Sequence, residues 1–313
     1  MKQANSVMKT ALIHSHGGPE VVAIGQAITR KPLAHEAVVR IEAASVNPLD
    51  LKILAGYMKE VFPVELPYVP GTDFSGVVEA VGTQVTHLRV GDRVVGRSAP
   101  QHGGAFAQSL TLAAADLCAI APDMSFEQAA ALPTAFGTAR QGLFEVGRLQ
   151  RGQKVLIHAG AGGVGSFAIQ LARHAGAYVM ATSSAANLEL LRGLGAHEVI
   201  DYRAQGFSHA SGVDLVLDTL GGETLAKSWS VLQPAGRIAT LVDFAIQPQG
   251  GRSGEFVFFQ SATASLPEAM ARFSSHQLQI VMDSILPLEE TRAALEKVAT
   301  GHSRGKVIIR TQH

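Results

Sequence analysis

The chain has 313 residues, 47% hydrophobic and 17% charged, which is enough for two domains of roughly 100–200 residues each and too apolar for a disordered protein. Lys plus Arg and Asp plus Glu both number 26, so no charge excess marks a nucleic-acid or membrane-surface partner. No apolar run reaches the ~20 residues that span a bilayer, the first residues show no signal-peptide apolar stretch, and the single cysteine, Cys118, excludes an intrachain disulfide and a cysteine-cage zinc site; the cytoplasm is the expected compartment.

The first ~120 residues are predicted to be β-rich. ALIHSHGG, VVAIGQAI, EAVVRIEAAS, SGVVEAVG, RVVGRS and FAQSLTLAAA are short apolar or alternating runs, punctuated by Gly, Pro and Asp. The character changes at Ser125, where Ser125-Phe-Glu-Gln128 fits a helix capping box and Pro133 is expected to bend or restart the helix. After Gly152 strands and helices alternate. KVLIHA, YVMATS, HEVIDY, VDLVLDTL and RIATLV read as strands; FAIQLARHAG, NLELLRGLG and ETLAKSWSVL read as helices. Such alternation predicts a parallel sheet with right-handed crossovers. Beyond Gly251 come FVFFQ as a β run, LPEAMARFSSHQL and LEETRAALEKVATG as helices, and KVIIRT as a last strand; Gln247 to Glu255 is the best loop candidate.

The chemistry-bearing motif is Gly160-Ala-Gly162-Gly163-Val164-Gly165, which matches G-x-G-x-x-G between a strand and a helix. In a dinucleotide turn one glycine makes the tight bend, one lets the backbone approach the pyrophosphate, and one lets the helix pack on the strand. The helix N-terminus adds free N–H groups and the positive end of its dipole. An NAD site usually places Asp or Glu about 20 residues on, to bond the ribose 2′-hydroxyl. Here the strand ends in Thr182-Ser183-Ser184, and hydroxyls do not repel a 2′-phosphate as a carboxylate would. NADPH is therefore expected over NADH, with Asn187, Tyr202 and Arg203 completing the pocket.

A series of further segments carries a family resemblance. These are Asn47-Pro-Leu-Asp50-Leu-Lys52, Pro70-Gly71-Thr-Asp73 through Gly82, Val90-Gly91-Asp92-Arg93-Val94, Gly103-Gly104-Ala-Phe-Ala107, Ala131-Leu132-Pro133 with Thr138, the glycine turn, and Leu194 through Tyr202. Together they resemble the medium-chain dehydrogenase/reductase superfamily in its zinc-independent, quinone oxidoreductase-like branch, over about Met8 to Ile309. Residues 1–7 look like an extension before the usual start. The resemblance implies an α/β protein with a Rossmann-type parallel-sheet domain, residues 125–268, and a GroES-like β-barrel domain formed from both chain ends, residues 1–124 and 269–313.

The same resemblance implies roles for individual residues. Asn47, Asp50 and Lys52 are expected near the nicotinamide: Asn47 as a hydrogen-bonding group, Lys52 as a stabiliser of negative charge on a carbonyl oxygen, and Asp50 as the group that orients Lys52 or simply holds the turn. Relatives that carry a tyrosine at the place of Lys52 leave Tyr57 as a nearby substitute. Thr138, the main chain at Leu241-Val242 and at Phe258, and Lys306 are expected at the cofactor. Zinc-using relatives have cysteine near the place of Asn47 and a cysteine-rich loop, so no metal is expected. The implied reaction is hydride transfer from NADPH to a quinone or an α,β-unsaturated carbonyl. An enoyl-thioester reductase and a non-catalytic NADPH-binding protein are the alternatives. FVFFQ as an exposed edge invites pairing with a second copy, so a homodimer is expected.

Overall fold

The computed structural model describes residues 7–312; the predicted extension, but for Val7, lies outside them. The short apolar runs of the first half become β1 (Val7–Leu12), β2 (Ala23–Ile28), β3 (Glu36–Val46), β4 (Asp73–Val81), β5 (Arg93–Arg97), β6 (Ser109–Ala113) and β7 (Leu117–Ala119), with a short helix, α1 (Pro48–Leu54), after β3. Ser125 caps α2 (Phe126–Ala130): its hydroxyl accepts from the N–H of Gln128, whose side chain accepts from the N–H of Ser125. Pro133 restarts the helix as α3 (Pro133–Arg140), as a residue without an N–H to give must at a first turn.

The alternating part follows as β8 (Lys154–Ile157), α4 (Gly163–His174), β9 (Tyr178–Ser183), α5 (Leu188–Gly193), β10 (Glu198–Asp201), β11 (Val213–Asp218), α6 (Gly222–Ser228), β12 (Leu232–Thr240) and β13 (Ser253–Phe256). The chain ends with α7 (Leu266–Ser274), β14 (Met282–Pro287), α8 (Thr291–Ala299) and β15 (Lys306–Arg310).

Two compact units result. Among the described residues, one holds those up to Thr134, Gln260–Ser275 and those from Met282 on; the other holds Ala135–Phe259 and His276–Val281. In the first, the sheet order is β14-β15-β3-β4-β5-β7, with β6 also on β3. The GroES-like domain is thus completed by C-terminal strands: β15 runs antiparallel to β3, placing Val307 opposite Val46. β3 pairs with β15, β4 and β6 and is buried along its length except at Arg40 and Glu42. Its Val39, Ile41 and Ala44 are fully buried, in a core with Ile13, Phe74 and Phe106.

In the second unit six strands run parallel in the order β10-β9-β8-β11-β12-β13. This is the doubly wound order of a Rossmann fold, whose ligands bind beyond the strands' carboxyl ends where the order reverses, here between β8 and β11. Leu156, Met180, Val216 and Ile238 bury against one another on the sheet.

Three expectations need correcting. FVFFQ is not a strand: β13 ends at Phe256, and it begins at Ser253, inside the predicted loop. The pairing of Ser253 to Phe256 with Arg237 to Thr240 decides this, and only a partner strand can. The helix predicted over ETLAKSWSVL stops at Ser228, and Leu232 already belongs to β12. β14 was not anticipated; MDSILP alternates weakly and acquires its ladder from β15.

Candidate active site

The glycine turn joins β8 to α4 at the carboxyl ends of the parallel strands. Its glycines have separable causes. A Cβ on Gly165 would stand 2.3 Å from the Ala159 carbonyl oxygen and 2.8 Å from Gly160 Cα, so the helix lies against the turn only because Gly165 has none. A Cβ on Gly160 would crowd Leu191, Ala181 and Ile169 at 3.0–3.1 Å. At Gly162 a Cβ would meet only the Ala159 oxygen, at 3.3 Å; its bareness serves space outside the protein's own packing. Gly162 is also the cap of α4 and has no side chain to satisfy the N–H groups of Gly163, Val164 and Gly165, which a helix leaves unbonded at its start. An open backbone and three orphan donors at a dipole's positive end fit a pyrophosphate.

Polar side chains brace this edge from below. His158, fully buried, lies with Nδ1 3.3 Å from the Thr182 hydroxyl and Nε2 2.9 Å from that of Ser228. Burial drives its pKa down to about 4, against the pull of Asp218, so the ring is neutral at pH 7. Asp218 accepts from the Thr240 hydroxyl at 2.7 Å and from the N–H groups of Leu220 and Gly221. Neither His158 nor Asp218 was singled out from the sequence; a histidine closing the apolar run KVLIH was the available signal.

The residues expected around the adenosine end do come together. Asp201 pairs with Ser183 across β10 and β9, and the Tyr202 N–H donates to the Ser183 carbonyl at 3.2 Å. Thr182 and Ser183 are buried, with Thr182 engaged by His158 and by the Ala159 N–H. Ser184 is half-buried, 3.5 Å from the Asn187 amide. Tyr202 is exposed and accepts from Arg203 Nε at 3.1 Å. The Asp201 carboxylate is turned into the backbone, accepting from the Arg203 N–H at 3.0 Å. Leu241 and Val242 leave β12 at the same edge, Leu241 bonded to Asp218 O at 2.9 Å. Thr138 is buried on α3. Phe258, beyond β13, is 38% exposed, and its carbonyl accepts from Gln141 Nε2 at 3.3 Å.

In the other unit Asn47 sits at the centre of a buried charged cluster. Its N–H donates to Asp50 Oδ2 at 2.7 Å, its Nδ2 donates to Asp73 Oδ2 at 3.0 Å, and its Oδ1 accepts from Lys306 Nζ at 2.5 Å. Lys306 also donates to the Val46 carbonyl at 2.9 Å. Asp73 takes the Thr134 hydroxyl at 2.7 Å and its N–H at 3.0 Å, and Arg97 Nε lies 3.9 Å away. Asp73, Arg97 and Thr134 were missed as a cluster; the acidic residue opening the apolar strand after Pro70-Gly71 was the signal for the first.

Two expectations change here. Lys306, predicted to reach the cofactor, is 4% exposed and commits its ammonium to Val46 and Asn47. Asp50, expected to orient Lys52 or to hold the turn, makes no bond to Lys52 and instead holds the start of α1 by accepting from the Asn47 N–H. The two are two positions apart on α1 and face different ways: Asp50 is buried, Lys52 half-exposed and without an ion pair among the described residues. Tyr57 is 83% exposed. Asp50 Oδ1 is buried with no hydrogen-bond partner. Burial, with Asp73 nearby, raises the Asp50 carboxyl to about 7 despite the N–H of Asn47, and burial likewise pushes Lys306 down.

The donor set around Asn47 does not fit zinc. It offers a neutral amide, whose oxygen already accepts from an ammonium group, in place of the thiolate, imidazole or carboxylate that zinc takes. Among the described residues no three His, Cys, Asp or Glu side chains converge as metal ligands.

Comparison with known proteins decides the family. Residues 33–123 match the alcohol dehydrogenase GroES-like domain and residues 194–309 match a family described as zinc-binding dehydrogenase. The chain is 31% identical, over 94% of its length and 95% of the relative's, to the chloroplastic quinone-oxidoreductase homolog of Spinacia oleracea. The chain belongs to the medium-chain dehydrogenase/reductase superfamily. Its branch is the quinone oxidoreductase-like one, and it is an oxidoreductase of that type. It is 33% identical to the NADPH-dependent alkenal/one oxidoreductase of Arabidopsis thaliana, over 96% of this chain and 79% of that one. The structure of the quinone oxidoreductase from Coxiella burnetii superposes with a TM-score of 0.90 at 32% identity, over 98% of this chain and 100% of that one.

Proposed function

We propose that this protein is an NADPH-dependent, zinc-independent reductase of conjugated carbonyls, acting on quinones or on α,β-unsaturated ketones and aldehydes. The observation that carries the cofactor choice is the end of β9. Thr182-Ser183-Ser184 offers hydroxyls and no carboxylate, with Tyr202 joined to Ser183 and the nearest acid, Asp201, bonded to the backbone. Arg203, stacked on Tyr202 with its charge 5.6 Å from the ring centre, supplies positive charge for a 2′-phosphate. The names of the spinach and Arabidopsis relatives support the acceptor class.

When bound, the cofactor supplies the hydride. Gly163, Val164 and Gly165 hold its pyrophosphate through their N–H groups, and Gly162 leaves it room. Ser183, Ser184, Asn187 and Tyr202 bind the adenosine ribose and its phosphate. Thr138 and the main chain at Leu241, Val242 and Phe258 hold the nicotinamide end. Asn47 positions the acceptor, its amide fixed by Asp73 and Lys306, and Asp50 and Lys306 set the local charge. Lys52, whose ammonium is not spent on a partner, stabilises negative charge on the acceptor oxygen. A conjugated acceptor spreads that charge itself, so a site without a Lewis acid suffices.

The test is a steady-state panel with NADPH and NADH against quinones, alkenals and a crotonyl thioester. A kcat/KM at least tenfold higher with NADPH, and turnover of quinone or alkenal above thioester, is expected. A preference for NADH overturns the cofactor assignment. Faster thioester turnover makes the protein an enoyl-thioester reductase, and tight binding without turnover makes it a non-catalytic NADPH-binding protein.

A further inference from the structure

The glycine-rich loop before β13 builds a second polar site. A cavity of about 500 Å³ is lined by Arg148, Arg237, Arg252, Gly250, Gly251 and Ser253, among others. No carboxylate lines it, and none of the three arginines makes an ion pair among the described residues. Arg237 and Arg252 are oriented by backbone carbonyls instead. Arg237 Nη1 donates to Gly147 O at 3.3 Å, directly before Arg148 in the chain. Arg252 donates from Nη2 to Leu232 O at 2.8 Å and from Nε to Gln233 O at 3.4 Å. The Arg237 and Arg252 guanidiniums are thus aimed without their charge being neutralised, and both retain further N–H groups.

The backbone is shaped to match. The Gln249 and Arg252 main chains bond each other, closing a tight loop over Gly250 and Gly251, whose φ angles are +58° and +76°. A Cβ at either would meet nothing within 4 Å, so the bareness serves the left-handed conformation and leaves the peptide open to a ligand. Arg148 itself holds φ +49°, a conformation disfavoured for a non-glycine residue. Arg237 pairs with Ser253, the first residue of β13. The cavity therefore lies toward the amino ends of β12 and β13, whereas the glycine turn follows the carboxyl end of β8.

We propose that this cavity is an anion site for a short phosphate chain, a pyrophosphate or the polyphosphate tail of a nucleotide, separate from the dinucleotide turn. Three uncompensated arginines offer planar, paired donors that match phosphate oxygens, and 500 Å³ accommodates more than one phosphoryl group.

The test is calorimetric titration of the full-length protein with inorganic pyrophosphate, with citrate as a polyanion without phosphorus. Arg148→Asn removes one charge while suiting the left-handed backbone, and its thermal midpoint checks folding; Arg252→Gln is the second variant. Gly162→Asp puts a carboxylate at the dinucleotide turn. Pyrophosphate is expected to bind the wild type and Gly162→Asp alike, and to bind each arginine variant roughly tenfold more weakly, about the loss of one charge-assisted contact. Unchanged affinity in both arginine variants, loss of binding in Gly162→Asp, or citrate binding as tightly as pyrophosphate overturns the proposal.

Discussion

Ser184 and Asp50 carry opposite lessons about a single polar side chain. Ser184 is half-buried at the end of β9, and a carboxylate there would repel a 2′-phosphate and accept a ribose hydroxyl. Ser184→Asp is expected to lower kcat/KM for NADPH at least tenfold and to raise the NADH value, measured on one quinone. Asp50 is instead defined by what surrounds it. Its folded pKa, raised by burial from 3.8 to about 7, means that its contribution to stability is complete below pH 4 and is lost as pH rises through 7. Asp50→Asn retains an acceptor for the Asn47 N–H and removes the charge, so denaturant unfolding from pH 4 to 8 is expected to lack that decline. His158 works in the other direction. Its pKa is lowered from 6.5 to about 4, so its stabilisation is present above pH 6.5 and lost as pH falls through 4. His158→Gln is expected to lack that acid-side loss in the same unfolding series.

At the scale of elements, the strand–turn–helix of β8 and α4 separates folding from binding. Gly165→Ala drives a Cβ into two backbone atoms, which cannot move aside as a side chain can. It is expected to cost about 1–3 kcal/mol of stability and to abolish cofactor binding with it. Gly162→Ala meets a single oxygen at 3.3 Å. It is expected to leave the melting midpoint nearly unchanged while raising the Kd for NADPH roughly tenfold, because only the approach of the phosphate is blocked. Thermal melts beside fluorescence titration of NADPH distinguish the two; equal destabilisation in both variants would refute the division of labour. The turn itself was legible because strand, glycines and helix are consecutive, as were the capping box at Ser125 and the restart at Pro133.

For the whole molecule, β13 is the edge strand of the parallel sheet and invites pairing with another chain. Its Phe256 stacks on the exposed Phe244 with centroids 4.1 Å apart. We propose a homodimer joined at this edge; light scattering is expected to give about twice the mass of one chain, and a monomer at micromolar concentration would refute it. No described helix is long and apolar enough to cross a membrane.

What the residues determined by themselves is what neighbours in sequence can determine. The alternation of strand and helix, the glycine turn, the hydroxyls ending β9 and the absence of cysteine at Asn47 each lie within one short stretch, where periodicity and residue chemistry suffice. The tertiary structure decided what depends on distant segments meeting. It joined Lys306 to Asn47 across 259 positions, turned Asp50 away from Lys52, gave MDSILP a strand partner in β15, and set the limits of β13 by its pairing with β12. It also gathered Arg148, Arg237 and Arg252 around one cavity. Burial and pairing are properties of the packed chain, so the charge on a buried Asp50 or Lys306 follows from the company it keeps.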